Sequence, residues 1–139
     1  MSNDWLDIMR QKANAQVRRR PRHEEDDLQI ACCTWFNLQH PKLRLLLHHS
    51  PNEGLLVKRA ADGAKRKAMG VRAGFPDFIF LLPTKVAPYL CMELKTAKGK
   101  QSDSQKEYQR LVEQHGGKYV VIRSLDDFIK TITEYISHM

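Results

Sequence analysis

Cysteine is scarce in this sequence. Its 139 residues hold three, with Cys32 and Cys33 adjacent and Cys91 far along the chain. That number cannot build a disulfide framework, and none of the three has partners at zinc-site spacing. Long apolar runs are also missing; nothing approaches the ~20 residues of a membrane-spanning helix. The leading residues, MSNDWLDIMRQKANAQVRRR, offer no apolar run for a signal peptide. The expectation is a reduced, cytoplasmic protein with no membrane partner. No Gly-x-x-x-x-Gly-Lys-Ser/Thr loop occurs, so ATP hydrolysis and a nucleotide cofactor are not expected. There is no internal repeat and no low-complexity tract.

Hydrophobic residues make up 42% and charged residues 28% of the chain, the balance of one globular domain. Acidic residues are outnumbered, 16 against 23 basic, for a net charge of +7. The excess is clustered. Residues 1–23 carry six basic and two acidic residues, 58–72 six and one, and 95–106 four and one. Clustered positive charge points to a polyanion, with nucleic acid first in line; a solvated basic surface is the alternative.

Residues 1–23 read as a basic, loosely ordered segment, with at most a short amphipathic helix around Trp5, Leu6 and Met9. The domain proper is expected over 24–139. Leu28, Ala31, Cys32, Trp35 and Phe36 recur at helical spacing, so a helix is predicted over 24–39, stopped by Pro41. Its opening acids suit the positive end of the helix dipole. A short strand is predicted over 43–49 and a turn over 50–54. A helix over 55–69 should be capped by Gly70. Residues 77–82 read as a strand buried on both faces. A second strand over 89–95 places Tyr89, Cys91, Glu93 and Lys95 on one face and Leu90, Met92 and Leu94 on the other. Ser102 should cap a helix reaching residue 115, with Tyr108, Leu111 and Val112 inward. A strand over 118–123 and a helix from Ser124 follow, the helix with Leu125, Phe128, Ile129, Ile132 and Ile136 on one face. The class is α/β, a mixed central sheet flanked by helices.

Asp77, Glu93 and Lys95 carry the chemistry. If the two apolar strands form a hairpin, Asp77 at the start of one lies beside Glu93 at the end of the other. Two hard oxygen ligands converging there suit Mg²⁺ or Mn²⁺. Lys95, on the same strand face as Glu93, would hold a water or stabilise charge developing on a phosphate. The alternative is an edge strand with a solvated Glu–Lys pair. Lys98 and Lys100 flank Gly99 just beyond, placed to meet phosphates. Lys58, Lys65, Arg66, Lys67 and Arg72, with Arg59, would line a DNA path or simply a solvated helix face. Asn52 is a further candidate contact. Ser102 and Gln105 stand at capping-box spacing, which would account for Gln105 without any role in a site. His48 and His49 read as surface or edge-strand residues.

The run Gly70-Val71-Arg72-Ala73-Gly74-Phe75-Pro76-Asp77, then Glu93-Leu94-Lys95, then Gly99 and Ser102-Asp103-Ser104-Gln105, resembles the VRR-NUC family (virus-type replication-repair nucleases) of the PD-(D/E)XK nuclease superfamily. Glu25-Asp26-Asp27-Leu28-Gln29 is similar to the acid and Gln of that family's first helix. Ser50-Pro51-Asn52 is similar to its turn before the second helix. The resemblance implies a restriction-endonuclease-like core and a metal-dependent DNA endonuclease. Asp77, Glu93 and the Leu94 backbone carbonyl would ligate the metal. Lys95 would orient or help deprotonate the attacking water. Glu25 would act through a metal-bound water or at a second metal, with Glu24 its rival. Gln105 would face the Glu93–Lys95 strand. The family includes junction-cleaving nucleases, so the resemblance further implies phage-type replication, recombination or repair. Selectivity by DNA shape then suggests branched DNA, such as a Holliday junction or a flap, and a single small domain that handles two strands is expected to act as a homodimer. A phage-encoded chain would then work in the host cytoplasm or at its nucleoid. A non-catalytic DNA-binding subunit with the same fold, and a structural dimerisation protein, are the rivals.

Overall fold

The computed structural model describes residues 4–17, 24–50 and 60–139. Its sheet is organised around β3 (Leu90–Leu94), whose five residues are all buried. Antiparallel β2 (Phe78–Phe80) sets Phe78 opposite Met92 and Phe80 opposite Leu90. β1 (Leu47–His49) pairs antiparallel with the far side of β2, and β4 (Lys118–Ile122) runs parallel to β3. The order is β1-β2-β3-β4. Parallel neighbours need a crossover, and α4 (Asp103–Gln114) supplies it. The expected mixed sheet with flanking helices is what forms.

One face of the sheet is closed by aromatic packing. α2 (Glu24–Gln39) brings Phe36 against Phe80, ring centroids 5.3 Å apart and nearly perpendicular. α5 (Leu125–Ile136) brings Phe128 against Phe78 at 5.9 Å and against Trp35 of α2 at 6.0 Å. Phe128, Ile129 and Ile132 are buried at helical spacing, as the sequence pattern requires. Tyr135 joins them. Its hydroxyl donates to the carbonyls of Leu82 (2.7 Å) and Ala87 (3.0 Å), clamping the turn between β2 and β3.

Several expectations are corrected. The segment expected to be loosely ordered is helical over α1 (Asp4–Val17), and Met9 and Ala13 are buried in the same core cluster as Trp35. Leu6, Met9 and Ala13 share one helical face. The small Ala13, fully buried, permits close approach to α2 but gives the sequence pattern little apolar weight. Residues 43–46 are not strand. Pro41 opens a 3₁₀ turn (Pro41–Leu46), and only the last three residues of the expected strand pair with β2. Leu43 and Leu46, three apart, fall on one side of that turn against the core, while Leu45 points to solvent. The strand expected over 77–82 and buried on both faces is shorter and one-sided: only Phe78–Phe80 pair as β2, Ile79 is half-buried, and Leu81, just past it, is 50% exposed. Leu111 of α4 is 41% exposed, not inward. The helix before the Gly-rich loop is described over α3 (Ala60–Ala68). Gly70, at φ +106°, ends it, with its N–H on the Lys67 carbonyl and that of Val71 on Arg66. Asn52, Lys58 and the turn expected after Ser50 lie outside the described residues.

Candidate active site

The other face of β3 is built differently. β3 is an interior strand, so the Glu93–Lys95 pair is not a solvated edge pair. Glu93 is 0% exposed, and the Lys95 side chain only 12%. Strand alternation aims both across the sheet from the aromatic core. Lys95 Nζ stands 3.8 Å from Glu93 Oε1. Asp77, immediately before β2, closes on the same end of the sheet: the Leu94 N–H donates to Asp77 Oδ2 at 2.7 Å. The convergence of Asp77 on the Glu93–Lys95 strand end follows from the antiparallel β2–β3 register.

The two oxygens of Glu93 differ. Oε2 accepts from Gln101 Nε2 at 2.9 Å and from the Tyr119 hydroxyl at 3.1 Å. Oε1 is buried and accepts no hydrogen bond. Gln101 also donates to Gln109 Oε1 (3.0 Å), and Gln109 donates to Glu113 (2.9 Å), linking the carboxylate to α4. Burial, then the Glu93 charge, pushes the Tyr119 phenol well above its ordinary range, so it stays a donor.

Asp77 is held above the usual carboxylate value chiefly by burial. The negative charges of Glu93 and Glu25 push the same way, and the Leu94 N–H and His49 oppose them. Of the two candidate acids on α2, Glu25 is the one whose charge acts on Asp77. His49 Nδ1 lies 2.6 Å from the Asp77 backbone carbonyl and pins the residue from β1. A cleft of about 270 Å³, lined by Asp26, Gln29, Ile30 and His49, opens on that side.

The segment presenting Asp77 is wedged against α4. Gly74, at φ +81°, leaves no room for a side chain: a Cβ would sit 2.6 Å from the Ser104 backbone. Beside it, Ser102 and Gln105 form the expected capping box, with the Ser102 N–H on Gln105 Oε1 and the Gln105 N–H on Ser102 Oγ. The capping box takes the Gln105 side-chain oxygen, and the amide that reaches Glu93 is that of Gln101. Tyr108 packs edge-on to Phe75, centroids 5.6 Å apart. Past Lys95, Arg123 Nη1 donates to the carbonyls of Thr96 (2.8 Å) and Gly99 (2.7 Å), fixing the loop on which Lys98 and Lys100 stand. Lys98 and Lys100 are exposed, as are Lys65 and Lys67 of α3; Arg66 is half-buried. Arg72 is exposed and turned back onto the end of α3, donating to the Lys67 carbonyl at 3.0 Å.

Among the described residues, no three His, Cys, Asp or Glu side chains gather closely enough to hold a metal ion alone. Two carboxylates and a strand-end carbonyl leave the remaining positions of a hard cation to water and substrate, the usual arrangement for Mg²⁺. Glu93 Oε1 fits such an ion: it is buried and accepts no hydrogen bond, and the β2–β3 register sets Asp77 across from Glu93.

Four residues of the site carry no readable signal of their role in the sequence: Tyr119, Gln101, His49 and Arg123. Tyr119 is readable only once β4 is known to run parallel to β3, which sets it opposite Cys91 and diagonal to Glu93. His49 lies on an edge strand, as expected, but its contact with Asp77 depends on the β1–β2 register. Gln101 and Arg123 stand in no local pattern at all.

The VRR-NUC domain model matches residues 9–126, which takes in most of α1 together with Asp77, Glu93 and Lys95. A solved structure of a VRR-NUC domain protein superposes with a TM-score of 0.72 at 29% identity, covering 86% of this chain and 93% of that one. No curated protein matches the sequence. The family match spans far more than half of the chain and its fold is that of a known member: the protein belongs to the VRR-NUC family and is a nuclease-type domain.

Proposed function

We propose that this chain is a DNA endonuclease that hydrolyses phosphodiester bonds with Mg²⁺ or Mn²⁺, selecting its substrate by DNA structure. The observation that carries the reading is the buried Glu93, whose unbonded Oε1 lies beside Lys95 and whose strand neighbour Leu94 ties down Asp77. Asp77, Glu93 and the Leu94 carbonyl would hold the ion. When bound, the ion supplies Lewis-acid chemistry, making water more acidic and neutralising charge on the phosphate. Lys95 Nζ, held by Glu93 and shielded from solvent, orients the attacking water and meets the charge that develops on phosphorus oxygens. Glu25 acts from α2 through a water. Gln105 caps α4 through its side-chain oxygen and so holds the Asp77 loop, and its side-chain amide N–H groups face the site as a further candidate contact.

Lys98 and Lys100, on the loop fixed by Arg123, contact phosphates beside the cut. Lys65, Arg66, Lys67 and Arg72 extend the basic path, joined by Lys58 and Asn52 from the segment before α3. Phosphate contacts position a duplex without reading its sequence, so selectivity falls to shape, with branched, flapped or Holliday-junction DNA as the preferred substrate class. A two-fold homodimer suits a symmetric junction, and the setting is phage-type replication, recombination or repair. Labelled duplex, flap, splayed-arm and four-way-junction DNA, each with Mg²⁺, Mn²⁺ or EDTA, test the reading. Metal-dependent cutting of branched over linear DNA is expected. DNA binding without cutting in either metal would mark a non-catalytic DNA-binding subunit instead.

A further inference from the structure

Glu93 is asymmetric in a way that its burial alone does not require. Both donors that reach it, the Gln101 amide and the Tyr119 hydroxyl, choose the same oxygen, Oε2. The other oxygen has Lys95 Nζ at 3.8 Å and no hydrogen bond. A buried carboxylate ordinarily shares its donors, because each desolvated oxygen left unbonded is costly. Here the donors arrive from two elements. Tyr119 comes from β4, two residues before the one opposite Glu93, and Gln101 from the segment leading into α4.

Gln101 is itself fixed. Its Nε2 has two hydrogens, one for Glu93 Oε2 and one for Gln109 Oε1. Gln109 in turn donates to Glu113 one turn further along α4. A flipped Gln101 amide would place an oxygen against two acceptors, so the chain of bonds permits one orientation.

We propose that Tyr119 and Gln101 are positioning residues that lock the rotation of the Glu93 carboxylate, so that Oε1 alone is presented as the metal ligand. This rests on the nuclease reading above. Without the two donors the carboxylate is free to turn, and both oxygens compete for the Lys95 ammonium. Partners of this kind, which hold a metal ligand by its non-ligating atom, tune affinity more than they tune folding.

The test is Mn²⁺ binding to the DNA-free protein, followed by electron paramagnetic resonance of the free ion, for the wild type, Tyr119→Phe, Gln101→Met and the double variant. Tyr135→Phe is the control, since that hydroxyl bonds main-chain carbonyls on the opposite face. Each single variant is expected to weaken Mn²⁺ binding on the order of 10-fold. The metal dependence of DNA cleavage should shift to higher concentration by the same factor, with kcat at saturating metal largely restored. Tyr135→Phe should lower the melting temperature and leave the Mn²⁺ Kd alone. If the wild type binds Mn²⁺ and both variants match it within about twofold, the inference is overturned and the nuclease reading stands. If the wild type binds no Mn²⁺, both fall.

Discussion

The two faces of β3 are made by alternate residues of a five-residue strand and of Lys95 just past it, and they obey different rules. On one, Leu90, Met92 and Leu94 meet Phe78, Phe80 and the rings of α2 and α5 in an apolar core. On the other, Glu93 and Lys95 are nearly as well buried, yet one Glu93 oxygen finds no hydrogen bond. The two buried tyrosines repeat the contrast. Tyr135 donates to main-chain carbonyls and ties a turn; Tyr119 donates to a carboxylate and aims it. The core face is closed by apolar packing and leaves unbonded the Trp35 Nε1–H, a donor that no cation can use, whereas the site face leaves a carboxylate oxygen that a cation would complete.

The contrast breaks most visibly under truncation. Asp77→Ala or Glu93→Ala should abolish DNA cleavage with the circular-dichroism spectrum unchanged. Phe80→Ala, on the other face, should cost about 3–5 kcal/mol of stability by denaturant unfolding, while the folded fraction still cuts. A folded Glu93→Ala that cuts normally would erase the distinction. Lys95→Ala should lower kcat on the order of 10²-fold with DNA affinity nearly unchanged, because its charge acts on the transition state. A defect rescued by more DNA would make Lys95 a binding residue instead.

How much is legible in the sequence differs between the faces too. The core helices are readable because Trp35, Phe36, Phe128 and Ile132 repeat at helical spacing. Asp77, Glu93 and Lys95 can be placed together because strand alternation and one hairpin suffice. The support of the site is not readable. Tyr119 needs the parallel β3–β4 register, Gln101 needs the path of the crossover, and His49 needs an edge pairing across 28 residues of chain. The packing of α1 is hidden because its buried face rests on Ala13. The 43–46 run resembles a strand because a 3₁₀ turn leaves its leucines in no helical pattern. Local periodicity reports what an element buries; it does not report which element comes to lie against it.

Smaller effects sharpen the comparison. Gln105→Ala removes half of a capping box and should cost about 1 kcal/mol, with activity falling no further than stability explains. A larger fall in activity would return Gln105 to the site. Asp77→Asn probes the electrostatics. Burial raises the folded-state value of Asp77 above 3.8, so its ionised form is disfavoured in the native protein. That cost is absent below the unfolded value and grows as pH rises, until it is complete above the folded one. Metal-free Asp77→Asn should therefore melt above the wild type at neutral pH, and the gap should close as pH falls toward about 4, read by thermal melts in EDTA. A gap that does not depend on pH would place its origin elsewhere. Neutralising Lys65, Arg66 and Lys67 together should weaken binding to all DNA sequences alike. It should also flatten the salt dependence, by about one unit of slope for each phosphate no longer neutralised.

The most direct measurement is a thermal melt of the DNA-free wild type and of Glu93→Ala across an Mn²⁺ titration. Binding to the native state raises the melting temperature as the ion saturates its site. A rise in the wild type that is lost in Glu93→Ala is the predicted result. Equal shifts in both proteins, or none in either, would contradict the claim that the unbonded oxygen of Glu93 is there to hold a metal.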